Sequence, residues 1–392
     1  MSIRKFRILS RFHVFVLLLL SILPVQVFPQ STPCFYGDFR ADFLIRKGLQ
    51  LSYNLEYAPA NKVWDELIQL YPEHPAGYVY KSALTWWQAV EDRENKSLER
   101  QFNLQTQMAI NKGTAWIEAN PRDKIALAYL ASAYVNRTRF DATVTRSYLS
   151  ALRNGKRAHK YIEMAHAVDL KFYDAYVGMG SYNYFTGALP AVIKPFAWLL
   201  GARGDKNEGI EQLKLAMEKG EYAQTEAKIV MLGVYVSERR WDDYQELLDS
   251  LMKEYPLNHV FYYWGANFYL MMQRWDAGII SFKNIEKLID PSQSDYAGAS
   301  YAWLQYNLAR NYFAKQDWHN ALESLNHAER GQTRNPVLLV QLFLLKGNTL
   351  DVLGRRGEAV ACYEKVLEYS SIEDSATKAK RYLKSAYGRG SP

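Results

Sequence analysis

One stretch constrains the chain more than any other: LARNYFAKQDWHNALESLNHA, residues 308–328. Leu308, Ala309 and Tyr312 fall on one face of a first helix. Ala321, Leu325 and Ala328 fall on one face of a second, after a short turn at 315–317. Small residues let two antiparallel helices approach closely, and large ones fill the gap to a neighbour. Such a hairpin has more apolar surface than it can hide alone, so copies of it must stack. The same register recurs. Gly48 precedes Ala60, Trp64, Leu67 and a terminating Pro72. Tyr235 leads to Tyr244, Leu248, Leu251 and Pro256. Ala266 and Tyr269 lead to Gly278, Phe282 and Pro291, and Gly347 and Leu350 lead to Ala359, Tyr363 and Val366. A tryptophan two or three residues before the small position recurs in three units, at Trp241, Trp275 and Trp318. No run alternates apolar and polar residues as a strand would.

This spacing matches the tetratricopeptide pattern, with its period of about 34 residues. Between Pro72 and Tyr173 the units are longer, with helices expected near 76–92, 98–119, 123–137 and 142–168. The expected fold is therefore all-α, a right-handed superhelical solenoid of about eight helix-turn-helix pairs. The array is expected over 44–371, after a linker at 31–43. Residues 372–392 read as a capping helix and tail, because a terminal repeat needs a polar outer face.

The fourth pair is interrupted. Its first helix is expected over 173–185, and its second starts near Lys206 and carries Gly209, Leu213 and Ala216. Asp205 and Glu208 are spaced as a capping box. Between the helices lies GALPAVIKPFAWLLGARG, where Pro190 and Pro195 forbid one continuous helix and Gly201 and Gly204 permit a tight return. The order Leu189, Pro190, Leu199, Leu200, Gly201, Gly204, Asp205, Gly209, Leu213 resembles the centre of the tetratricopeptide repeat protein 39 and inclusion-body-clearance family. The motif likeness covers about 173–219. It implies an all-helical array and an adaptor role, with no catalytic residues to carry over. That family is typically intracellular, and this chain departs from it at its N-terminus. The insertion reads either as a plug packed on the array or as a docking element, carried by Leu189, Pro190, Phe196, Trp198, Leu199 and Leu200. Arg203-Gly204-Asp205 also spells an adhesion tripeptide, which its turn-and-cap role explains.

Residues 1–11 contain Arg4, Lys5, Arg7 and Arg11, and residues 12–29 are almost wholly apolar. A basic region followed by an apolar run marks residues 1–30 as a secretory signal or an uncleaved signal anchor. The bulk of the chain is then expected to be exported: periplasmic, envelope or secreted. The formal charge is +7, and those four cations supply more than half of it, which argues against a nucleic-acid partner. Cys34 and Cys362 are the only cysteines and lie at opposite ends, with no ligand spacing between them.

No Walker loop, GxSxG or HExxH is present. His159 and His166 are seven apart on one helix, without an acid or cysteine at ligand spacing, so no metal and no cofactor is expected. Arg153, Lys156, Arg157 and Lys160 form a basic run expected to face solvent. Asn95 and Asn136 head glycosylation sequons. The expected function is a non-enzymatic scaffold holding a protein or peptide partner along the face built by the first helix of each pair. The repeat register places Tyr176, Tyr184, Tyr263, Trp264, Asn267, Trp303, Tyr306, Arg310 and Asn348 there, with part of these rings expected to pack between repeats instead. The alternative is a glycan- or lipid-binding, membrane-associated repeat module, suggested by 29 Tyr, 10 Trp and the apolar insertion.

Overall fold

The computed structural model describes residues 38–91, 95–191, 194, 203–288, 299–331, 335–369 and 373–388. They form helices and connecting turns, with no strand among them. In chain order the helices pair as hairpins: α1 (Phe39–Tyr53) with α2 (Tyr57–Leu70), α3 (Ala76–Glu91) with α4 (Lys96–Ala119), α5 (Lys124–Thr143) with α6 (Tyr148–Val168), α7 (Ala175–Gly187) with α8 (Lys206–Lys219), α9 (Gln224–Glu238) with α10 (Trp241–Glu254), α11 (His259–Met271) with α12 (Trp275–Leu288), α13 (Ala299–Ala314) with α14 (Trp318–Arg330), and α15 (Pro336–Val352) with α16 (Arg356–Glu368). A last helix, α17 (Glu373–Lys384), follows. The helix-hairpin array expected from the register is what forms. It starts earlier than expected: α1 begins inside the presumed linker, because Asp38 caps it by accepting from the backbone N–H groups of Arg40 and Ala41.

The repeated turn has a backbone signature. In five hairpins the first helix ends at a residue in the left-handed region: Leu55, Arg239, Gln273, Gln316 and Gly354, with φ between 57° and 75°. The next residue then donates its N–H to a carbonyl five positions back, as Arg240 does to Tyr235 at 2.8 Å and Asp317 to Tyr312 at 2.9 Å. This closes the helix by satisfying carbonyls that have no partner within it. In three of the hairpins the residue after that is the tryptophan that opens the second helix.

The chain divides into two compact units after Pro256. In the first, α5 is the central helix. Fifteen of its twenty residues are buried, on every side. Ala126, Ala128, Ala131, Ser132 and Ala133 make that possible, since short side chains let neighbouring helices close in all round. The ends of this unit also meet. Tyr222 donates its hydroxyl hydrogen bond to Asp42 of α1, Arg46 pairs with Glu221 at 2.9 Å, and Tyr53 rests on Tyr255, ring centroids 5.3 Å apart.

In the second unit, Ala266, Phe282, Ile285, Leu304, Leu308 and Ala321 join α11–α14 in one core. A second core runs from α13 to α17 through Ala309, Leu325, Phe343, Tyr363 and Tyr382. Arg356 fixes α17: it pairs with Asp351 at 3.0 Å and donates to the carbonyls of Tyr382 and Leu383. The outer side of α17 shows Lys378, Lys380, Arg381 and Lys384 to solvent.

The interrupted pair is held by glycine. A Cβ on Gly180 would lie 2.8 Å from the Gly209 carbonyl oxygen, and one on Gly209 would strike the Tyr184 backbone, so α7 and α8 touch main chain to main chain. Farther along, a Cβ on Gly187 would lie 2.6 Å from the Lys206 nitrogen, and one on Gly204 would lie 2.5 Å from the Asn183 oxygen. The insertion therefore leaves and re-enters through one neck. Only half of the expected capping box forms. Asp205 caps α8 at Asn207 and Glu208, while the Glu208 side chain instead accepts from Gln212, 2.9 Å away. The first helix starts at Ala175 rather than 173, because Asp174 is buried and its carboxylate accepts from the N–H groups of Glu221, Tyr222 and Ala223, capping α9 from outside.

Candidate partner-binding face

In the second unit the first helices of the pairs are α11, α13 and α15. On α11, Tyr263 and Trp264 are half-buried and Asn267 is exposed, its amide tied back to the Tyr263 carbonyl at 2.8 Å. Tyr263 is edge-on to Phe282, centroids 5.7 Å apart, and Trp264 tilts against Phe261 at 5.5 Å. One side of each ring is therefore held by the core while the other meets water. On α13, Trp303 is half-buried and edge-on to Tyr306 at 5.9 Å. Arg310 lies over the Tyr306 ring at 5.9 Å and donates to Asn307 at 3.0 Å. Its fork is oriented and part of it stays accessible. Tyr306 itself is buried and serves as a floor under these two side chains. On α15, Asn348 accepts from the Tyr363 hydroxyl at 3.1 Å.

Of the two predicted residues of the first unit, Tyr184 is placed otherwise, and this corrects the sequence reading. Tyr184 is buried and donates to Glu238 at 2.6 Å. Burial and that carboxylate push its hydroxyl well above the ordinary tyrosine range. Burial would raise Glu238 as well, but hydrogen bonds from Lys206 and Tyr184 outweigh it and hold the carboxyl low. Tyr176 is half-buried, edge-on to His166 at 4.9 Å. Tyr184 presents no free ring, because it is sealed by its own unit, whereas Tyr176 keeps part of its ring accessible.

At the centre of that filling is an ion pair between Arg139 and Glu226, 2.6 Å apart, with both side chains 1% exposed. The Arg139 guanidinium lies over Trp86 at 4.6 Å, and Tyr53 donates to the other Glu226 oxygen at 3.4 Å. Arg139 Nε and Nη1 have no hydrogen-bond partner among the described residues. Burial pulls the guanidinium down to about 10, against the opposing pull of Glu226. This pair escaped the sequence reading because its members stand 87 residues apart on helices with no polar motif. Met271, Leu344 and Leu345 lie on the same candidate face. They sit in the register that places Asn267, Trp303 and Asn348 on the first-helix face and are at least partly exposed. Their aliphatic side chains carry no polar or aromatic signal that would single them out in the sequence.

Leu189 is half-buried and Pro190 exposed at the mouth of the insertion. Phe196, Trp198, Leu199 and Leu200 lie outside the described residues. His159 stacks on Tyr182 at 3.6 Å, and burial lowers the pKa of both His159 and His166. Among the described residues no three His, Cys, Asp or Glu side chains gather as a metal site. No described helix is long and apolar enough to cross a membrane.

No family profile and no curated protein matches the chain. Among solved structures it is similar to the APC/C hetero-tetramer Cut9-Hcn1, at 15% identity and a TM-score of 0.52, over 87% of this chain and 55% of that one. The fold is tetratricopeptide-like. This chain thus spans little more than half the length of that relative. A tetratricopeptide repeat protein from Parabacteroides merdae matches at 14% identity and a TM-score of 0.36, over 79% of this chain and 99% of that one. YrrB, a TPR protein with an unusual peptide-binding site, matches at 13% and 0.32, over 69% and 97%.

Proposed function

We propose that this chain is a non-enzymatic scaffold of the cell envelope, holding a protein or peptide partner against the first-helix face of its second unit. One observation carries the reading. Tyr263, Trp264 and Trp303 are each anchored by core contacts on one side and left accessible on the other, beside Arg310 and Asn267. Rings held this way give contact area at little further entropic cost, and Arg and Asn add direction. The fold supports the reading, since the Cut9-Hcn1 structure it resembles is itself a hetero-tetramer. Envelope placement rests on the basic and then apolar N-terminus. The motif likeness to the tetratricopeptide repeat protein 39 and inclusion-body-clearance family agrees with an adaptor role, and no cellular role is taken from it.

A photo-crosslinking residue at Met271, in the full chain within its native envelope, tests this. The expected result is one protein adduct, lost when Trp264 and Trp303 are both changed to Ala. Removing a ring of this kind weakens binding by about 2 kcal/mol, roughly thirtyfold. Adduct formation unchanged in the double variant would move the partner elsewhere. Bound lipid or glycan in native mass spectra, with no protein adduct, would favour the module that binds a non-protein ligand.

A further inference from the structure

Among the described residues, seventeen large apolar side chains stand exposed, and six of them come from residues 148–170: Tyr148, Leu149, Leu152, Met164, Val168 and Leu170. Leu149 is 78% exposed and Leu170 is 70% exposed. The same helix, α6, carries Arg153, Lys156, Arg157 and Lys160, all exposed, and Arg146 precedes it. Residues 146–160 contain no acid. On a helix, Leu149, Arg153, Lys156 and Lys160 follow at spacings of four, three and four, so they form one stripe. The inward side is Ala151, Asn154, Ala158, Ile162 and Ala165. A face kept only for water has no need of leucines this exposed, and a third of the exposed large apolar side chains in one short stretch marks an interaction surface. Cations interleaved with leucines are the chemistry of a helix lying at a bilayer interface, where cations meet phosphates and apolar tips enter the acyl boundary. Phosphate polymers such as nucleic acid would use the cations but leave the leucines without a role. A further cation lies close by: the Arg203 backbone bonds the Tyr182 hydroxyl, and Tyr182 stacks on His159 of α6.

We propose that the outer face of α6 docks on an anionic phospholipid surface, with Leu149 and Leu152 entering below the headgroups and Arg153, Lys156, Arg157 and Lys160 pairing with phosphates. This surface belongs to the first unit and shares no residue with the candidate partner-binding face of the second.

The test places a nitroxide at Leu149→Cys in the full chain, with Cys34→Ser and the buried Cys362 kept. The probes are phosphatidylcholine vesicles, with or without roughly a third phosphatidylglycerol. On anionic vesicles the label should gain oxygen accessibility and lose accessibility to a water-soluble nickel chelate. On zwitterionic vesicles it should do neither. A label at Leu104→Cys, an exposed site on α4, should stay in water on both. Changing the four cations to Gln should lower the docked-to-free ratio about fivefold per charge. Raising salt to about 0.5 M should release the unaltered helix, which keeps the test independent of how that variant folds. A label at 149 that stays accessible to nickel on anionic vesicles overturns the proposal, and so does equal docking on both vesicle types. Undiminished docking of the Gln variant does so too.

Discussion

The two units use the same hairpin and spend its first-helix face differently. In the first, α5 is buried on all sides, the ends of the unit meet, and the inner space holds Arg139, Glu226, Tyr53 and Trp86. In the second, the matching face keeps Tyr263, Trp264 and Trp303 half open. The local fold does not decide this. Tyr184 and Trp303 both lie on the first helix of a pair, yet one is sealed against Glu238 and the other reaches water. What decides is whether distant segments of the same unit arrive to cover the face. A repeat array can therefore serve as a closed support in one part and an open platform in another without changing its hairpin.

The largest expected effect tests the closed half. Changing Glu226 to Ala leaves Arg139 charged, buried and unpaired, which costs about 3–5 kcal/mol. Urea unfolding should show this as an early transition of the first unit, while crosslinking at Met271 before that transition is unchanged. The double variant Arg139→Met with Glu226→Leu, which removes both charges at similar volume, should recover most of the loss. Loss of the Met271 adduct in the still-folded single variant would break the division of labour.

A smaller effect follows from acid. His74 is buried edge-on to Trp116, centroids 4.2 Å apart, and its Nδ1 accepts from the Ala76 N–H at 3.1 Å. Burial holds its pKa well below the ordinary value of 6.5. Below about pH 6.5 the unfolded chain takes up a proton that the folded chain refuses, so the contribution is complete above that pH and is lost as pH falls toward the folded value. The slope reaches about 1.4 kcal/mol per pH unit for one such group. His159 and His166 shift the same way. Unfolding free energies between pH 5 and 7.5 should fall with acid, and His74→Asn, which keeps an acceptor, should flatten the curve without levelling it.

The smallest effect probes what the units share. Arg239 and Gln316 both hold left-handed backbone without being glycine. Gly at either place relieves strain of about 1–2 kcal/mol and gives back part of it in chain entropy. Thermal unfolding should report a net gain of about 0.5–1 kcal/mol for each. Unequal gains would show that the turn is not the common element it looks to be.

The hairpins were legible in the sequence because their signals are local. Ala309 with Tyr312, and Ala321 with Leu325, declare close packing within twenty residues. The candidate partner-binding face was half legible, since register names the residues that point toward it but not what covers them. Tyr53 and Glu226 meet across 173 residues, and no short window contains that contact. Aromatic side chains compound the difficulty, because the same ring suits a core, a floor or an open platform.

The neck at Gly187 and Gly204 has a consequence for descent and for engineering. With its two ends already pinned together, the segment between them can lengthen or shorten at a cost that grows only as the logarithm of its length, about 0.6 kcal/mol per doubling. The helices on either side need not register the change. That makes the position an exchangeable cassette: a place where one lineage can carry a short turn, another a long apolar loop, and an experimenter a tag or a foreign domain, all on the same frame.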